Sequence, residues 1–438
     1  MTSPALRLRA ALEGAYREAL RSVDPERLVD AALRLGRGGV GERLRDASRV
    51  HLLAVGKAAA PMARAAEDQL GGRLAHSLAV VPRGYGLDLS RTRILEASHP
   101  VPDASSLLAA NAARELAVAV RPGECLLVLL SGGASSLLAL PAPGIGLQDL
   151  ARTTSLLLAA GTPIESLNAV RKHLSALAGG RLALCCAAGR VEVLLISDVP
   201  SDAIDVIGSG PFAADASSYG DALDCVRERG LFADLPPAVR DDLLAGVAGR
   251  RPETPAPGDP RLRGVHHTLL ASNATARAAA CGALRERGWR CFEFPEPFTG
   301  EASRVGRALA SLARATRESA RQCFVAGGES RVRVQGSGRG GRSQELALAA
   351  ALGLQGLEEW AILAAGTDGR DGPTDAAGAF ADGGTVTRGR ALGLDAACAL
   401  EENDSHGFFA REGGVFRTGA TRTNVMDLAL LAAGAPDS

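Results

Sequence analysis

Five times along the chain, a short run of apolar residues ends abruptly in a turn made of glycines, hydroxyls or acids. Val50–Val55 runs into Gly56-Lys57, Cys125–Leu130 into SGGASS (131–136), and Val193–Ile196 into SDVPSD (197–202). Further on, Cys323–Ala326 runs into GGES (327–330) and Ile362–Ala365 into GTDGRDGPTD (366–375). Runs this short, without polar alternation, read as strands buried on both faces, which is the habit of sheets covered by helices. Turns that leave such strands lie along the carboxyl edge of an open sheet, where ligands bind. The chain is therefore predicted to be α/β, with two three-layer α/β domains, the first Rossmann-like with a mainly parallel sheet.

A length of 438 residues calls for more than one domain. Residues 250–263 (RRPETPAPGDPRLR) hold four prolines and no periodicity, so they are read as an exposed linker between domains 1–249 and 264–438. Residues 1–46 form a helical lead that packs on either domain. Helices are expected over 166–183 and 304–319, a short alternating strand over 331–334, and a final helix after the TGATRTN loop (418–424).

Charge excludes some classes. The 49 basic and 49 acidic residues balance, and aromatics make up 3%, so neither nucleic acid nor an anionic membrane is an expected partner. The eight cysteines show no C-x-x-C spacing and read as reduced, buried thiols rather than a zinc site. The N-terminal segment carries arginines where a signal peptide has its apolar core, and no stretch is long enough to span a bilayer. A cytoplasmic location is expected.

Two cations stand where strands turn into helices: Lys57 after β-forming residues 50–55, and Arg342 at the start of the helix that follows GSGRGG (336–341). A helix start carries partial positive charge, so a cation there implies an anion sharing the site. Ser131, Gly132, Gly133 and Ser135 suit phosphate or carboxylate oxygens. Gly327, Glu329, Gly340, Gly341 and Thr367 line the corresponding turns of the second half. Asn168, Arg171 and Lys172 lie near one helix start, and Arg171 and Lys172 can face a cleft. Asp198 and Asp368 close two strands and are candidate metal ligands. Gly336, Gly338 and Gly341 match G-x-G-x-x-G, but an Arg/Val-alternating segment precedes them instead of a buried strand, against a dinucleotide site. Gly56-Lys57 lacks the P-loop pattern, and Leu137 replaces the closing glycine of a nucleophile elbow.

In these stretches the chain resembles the glycerate 2-kinase family, whose C-terminal part is called the MOFRL domain. The matching segments include VGKAAAPMA (55–63), SHPVPD (98–103), LLSGGASSLL (129–138), LNAVRKHLSALAGGRLA (167–183) and SDVPSDAIDVIGSGP (197–211). The second half adds GGES (327–330), GRGGRSQELALAAA (338–351), GTDGRDGPTDAAGA (366–379) and TGATRTNVMDL (418–428), with the MOFRL region over roughly 320–430. The resemblance implies ATP-dependent phosphorylation of D-glycerate at its 2-hydroxyl with Mg²⁺ or another divalent cation, an active site between two domains, and Lys57 and Arg342 as catalytic cations. A homodimer is compatible with the sequence. The alternative enzyme is an NAD(P)H-dependent hydroxypyruvate reductase, and a non-catalytic sugar-acid or nucleotide sensor is a third reading.

Overall fold

The computed structural model describes residues 4–34, 39–186, 190–316 and 321–434. They form two compact units, one of Pro25–Leu270 and one of Met1–Asp24 with Ala271–Ser438.

In the Pro25–Leu270 unit the sheet comprises β1 (Val50–Val55), β2 (Leu74–Pro82), β3 (Arg93–Ala97), β4 (Cys125–Leu130), β5 (Val191–Ile196) and β6 (Val265–Ala271). Their spatial order is β3-β2-β1-β4-β5-β6, the doubly wound order. β1 to β5 run parallel, and β1, β4 and β5 are buried along their whole length. That is why they read as unbroken apolar runs. Their Leu and Val side chains meet alanines of the helix Ala104–Ala119 in one core. A second core joins Leu157, Leu167 and Val170 to Tyr219, Leu223 and Val239 on neighbouring helices.

The expected helix over 166–183 is broken. Helix Ile164–His173 ends, and a further turn spans Arg181–Leu184. Gly179 and Gly180 sit between them at φ +56° and +78°, a left-handed pair that no helix interior accommodates. The Ser175 hydroxyl takes the N–H groups of Leu177 and Ala178 at 3.1 Å, replacing helical bonds.

The proline-rich stretch 250–263 is not a linker. Arg251 pairs with buried Asp242 at 2.6 Å, Glu253 meets His173 Nε2 at 3.0 Å, and the Thr254 hydroxyl donates to Asp215 at 3.1 Å. It lies on its own unit as a strap leading into β6, which completes the first sheet, so the chain leaves that unit at 270–271. Prolines here fix an extended path rather than a free one.

The other unit has a mixed sheet: β7 (Arg290–Glu293), β8 (Gln322–Gly328), β9 (Trp360–Gly366), β10 (Gly378–Asp382), β11 (Val415–Phe416) and β12 (Asp427–Ala433), in the order β11-β10-β9-β12-β8-β7. The expected C-terminal helix is instead β12, antiparallel to both β8 and β9. Leucine and alanine favour helices, but every β12 residue is buried between two strands, and burying each leucine contributes about 1.5–3 kcal/mol. Tertiary burial therefore overrides propensity. Helix Ser405–Glu412 precedes β11, and 331–334, expected as a strand, form none beyond a bridge at Arg331. Helix Pro4–Ser22 belongs to this unit and packs on helix Asn273–Glu286, β9 and β12, while Pro25–Arg34 and Val40–Arg45 belong to the other. Cys281 and Cys291 form a disulfide between helix Asn273–Glu286 and β7, contrary to the all-thiol expectation; their spacing of ten residues matched no motif.

Candidate active site

In the first sheet, strand order reverses between β1 and β4, and their carboxyl ends open the crevice where doubly wound sheets bind ligands. Gly56-Lys57 leaves β1 and Ser131–Ser136 leaves β4, and the backbone sews the two turns together. Lys57 N donates to Gly132 O at 2.9 Å, and Ser131 N to Val55 O at 2.9 Å. The Ser131 hydroxyl accepts from Ala58 N at 3.0 Å and donates to Val55 O at 3.4 Å. Ser131 is fully buried, so it builds the turn and presents nothing to a ligand. Gly56, at φ +124°, has no alternative: a Cβ there would lie 2.3 Å from Ser131 Oγ.

Gly133 clears space for two side chains. A Cβ on it would fall 2.9 Å from the His99 ring and 3.8 Å from Lys57 Cγ, and its φ is +91°. Lys57, His99 and Gly133 thus share one small region of the crevice. Asp103, from the same stiff loop as His99, caps helix Ala104–Ala119 and pairs with Arg83 at 2.6 Å. Its carboxyl is held below the ordinary range, first by the Ser105 hydroxyl.

Beside this crevice a recess of about 430 Å³, counting its open mouth, is lined by Ser135, Leu138, Arg171, Ser175, Gly208 and Ser209 among others. Ser135 Oγ lies 2.8 Å from Ser209 Oγ. Gly208, Ser209 and Gly210 all adopt left-handed backbone, which for the serine costs about 1–2 kcal/mol. Lys172, one residue from Arg171, faces elsewhere. It is buried and bonds Asp205 at 3.0 Å and Asp215 at 3.2 Å, so it ties loops together rather than waiting for a ligand. Burial works against the Asp215 charge, but Ser217 and Lys172 outweigh it and lower its pKa. Asn168 is buried on the same helix, and Asp198 is half-buried just past β5.

The second unit holds Arg342 at the first turn of helix Arg342–Leu354. Its guanidinium donates to Asp427 Oδ1 at 3.0 Å and to Glu329, and Nε lies 2.6 Å from Asp427 Oδ2, an ion-pair contact that leaves Oδ2 without a hydrogen bond. With Nε set against Asp427, one N–H on each terminal nitrogen remains for another acceptor. Burial opposes the Arg342 charge, yet Asp427 and Glu329 hold it still more firmly protonated than an ordinary arginine. Burial pushes Asp427 up to about 7 against the pull of Arg342. Asp371 supplies the cap that Gly341 cannot, accepting from Ser343 N at 2.9 Å and Gln344 N at 2.8 Å, and burial raises its pKa as well.

The glycines of this loop do a different job from the one their spacing predicts. A Cβ on Gly336 would meet Glu402 at 2.4 Å, on Gly338 Asp404 at 2.4 Å, on Gly340 Ser405 at 2.2 Å and on Gly341 Asp371 at 2.4 Å. They let the loop lie against its own chain. Gly327 likewise makes room for Asn273, whose Oδ1 would lie 2.0 Å from an added Cβ. Thr367 is fully buried, donating to Met426 O at 2.6 Å and accepting from Val425 N at 2.8 Å. Asp368 is half-buried, and Glu329 is exposed. Tyr16 reaches the same edge and donates to Gly366 O at 2.6 Å, with burial and then Asp368 and Asp427 raising its pKa.

Sequence reasoning missed Asp427, because the apolar run behind it was read as helix; its signal was a lone acid leading a wholly buried segment. Ser209 and Tyr16 were missed as well. Among the described residues no three His, Cys, Asp or Glu side chains gather to cage a metal. The carboxylates at strand ends suit a hydrated divalent cation held mainly by phosphates, as Mg²⁺ prefers, rather than an all-protein site.

Residues 11–244 match a family model described as a domain of unknown function, DUF4147, and residues 322–427 match the MOFRL family. A glycerate 2-kinase of Pyrococcus horikoshii is 36% identical over 422 residues, 94% of each chain. The crystal structure of a glycerate kinase from Thermotoga maritima superposes with a TM-score of 0.84 at 36% identity, covering 98% of this chain and 100% of that one. A protein of Agrobacterium vitis with the provisional name hydroxypyruvate reductase is 36% identical over 398 residues, 89% of this chain and 88% of its own.

Proposed function

The chain belongs to the glycerate 2-kinase family, a family of kinases, and from that premise we propose that it transfers the γ-phosphoryl group of ATP to the 2-hydroxyl of D-glycerate, giving 2-phospho-D-glycerate and ADP. The observation that carries this reading is Arg342. Two carboxylates fix its fork at a helix start and leave an N–H on each terminal nitrogen unengaged, an arrangement suited to stabilising charge that spreads over a transferring phosphoryl group.

The residue roles follow from what phosphoryl transfer requires, which is position and charge rather than covalent chemistry. Lys57, beside Gly133 and His99, supplies a mobile positive charge to phosphate oxygens. Arg342 supplies a rigid one. Gly132 and Gly133 present the strand-end turn to the substrate or nucleotide, and Glu329 and Asp427 orient the arginine. A divalent cation on the nucleotide would screen phosphate charge, and Asp198 or an acid of the 368–375 loop such as Asp368 is the carboxylate proposed to face it. No strong base is needed, because a loose transition state asks little prior deprotonation of the hydroxyl.

Phosphorus NMR of a reaction containing D-glycerate, ATP and MgCl₂ tests the proposal. A phosphomonoester on oxygen 2, appearing with ADP, is expected. A product on oxygen 3, or ATP consumption independent of glycerate, overturns it. NADH oxidation with hydroxypyruvate in place of glycerate turnover would mean the reductase chemistry instead.

A further inference from the structure

We infer that the recess between Ser135, Arg171 and Ser209 binds the carboxylate of a small 2-hydroxy acid, with Arg171 as its charged partner. This rests on the kinase reading and names the subsite that reading lacks. Arg171 lines the recess, and among the described residues nothing pairs with it. Its neighbour Lys172 has two carboxylates. A guanidinium in such surroundings loses hydration without compensation, and desolvation is the sole influence on it, lowering its pKa. A lone half-buried cation of this kind is destabilising by itself and is put right by an anion.

The rest of the recess selects the anion. The paired hydroxyls of Ser135 and Ser209 can turn their protons toward an acceptor, and Ser209 is held in left-handed backbone at that spot. Leu138 and Pro211 supply apolar wall. The guanidinium fork matches both oxygens of a carboxylate. Ser135 stands two residues beyond Gly133, over which Lys57 passes, a step of roughly 5–6 Å between Cα atoms. A three-carbon acid anchored at Arg171 therefore places its hydroxyls toward Lys57.

Calorimetric titration of the full chain and its Arg171→Gln variant with D-glycerate, with the neutral amide of glyceric acid, and with ADP tests this. The variant is expected to bind D-glycerate about 100-fold more weakly. It should bind the amide and ADP within about twofold of the wild type, losing the preference for acid over amide, and melt at the same or a higher temperature. Arg171→Lys recovers part of the loss, and it carries the comparison if the glutamine variant does not fold. Unchanged D-glycerate affinity in the folded variants, or a loss confined to ADP, overturns the assignment. Arg171-dependent D-glycerate binding without turnover in the wild type would uphold the subsite and sink the kinase reading. Turnover with an unchanged KM for D-glycerate in the variant would do the reverse.

Discussion

Arg342 and Asp427 form a pair whose balance depends on pH. Asp427 has its pKa raised to about 7 because burial removes water from its charge more effectively than Arg342 restores it. Above that pH it is a full carboxylate gripping the guanidinium; below it, Arg342 is held mainly by exposed Glu329. Turnover is therefore expected to rise between about pH 6 and 8 in the wild type. In Asp427→Asn it should stay near the low level and flat across that window, with Arg342 less well oriented. The stability linkage has the opposite sense. The folded state keeps the Asp427 proton over a range in which the unfolded chain has lost it, so that contribution is full in acid and disappears as pH climbs toward 7. The melting temperature of Asp427→Asn, measured relative to wild type, should thus increase from pH 4 to 7. A wild-type pH profile parallel to that of the variant would remove Asp427 from the mechanism. Arg342→Lys keeps charge without the fork, and a 10²–10³-fold fall in kcat is expected from losing preorganised donors.

At the scale of elements, glycine geometry is the clearest carrier of design, and also where the sequence misleads. Gly56 must be glycine twice over, for its φ of +124° and for the Ser131 backbone beneath it. Gly56→Ala is expected to lower stability by about 3 kcal/mol, read as a shift in the urea midpoint at constant slope. A smaller effect would mean the two turns are not locked together as described. The first sheet was legible because β1, β4 and β5 are buried on both faces and so spell unbroken apolar runs ending at the ligand edge. β12 is just as buried, but it is written in alanine and leucine, which strands and helices share, and only its place between β8 and β9 decides. The loop glycines at 336–341 illustrate the same limit. Their spacing shows that something must approach closely, but residues 402–405 and Asp371, far along the chain, turn out to be the visitors. Arg171 and Lys172 were indistinguishable in sequence, adjacent and both cationic, and the difference lies in two aspartates that the fold brings to one of them.

For the molecule as a whole, chain order and structural order part company. The unit built on β7–β12 begins with residues 1–24, although Pro25–Leu270 intervenes. Helix Pro4–Ser22 buries Leu8, Leu12, Ala15, Tyr16 and Ala19 completely or nearly so. It covers helix Asn273–Glu286 and strands β9 and β12, and Thr423 reaches back to Val23 O at 3.0 Å. The burial of those side chains amounts to about 5–10 kcal/mol, comparable to the whole stability of an ordinary domain. A fragment of residues 271–438 is therefore expected to lack a cooperative unfolding transition and to bind apolar dyes. Joining residues 1–24 to its start through a flexible Gly/Ser linker should restore both a sharp transition and solubility. Residues 25–270 contain a complete sheet with its own two cores and are expected to unfold cooperatively by themselves. Urea titrations of the three polypeptides followed by circular dichroism decide the matter. A cooperative melt from 271–438 without the N-terminal helix would show that the helix decorates that unit instead of completing it.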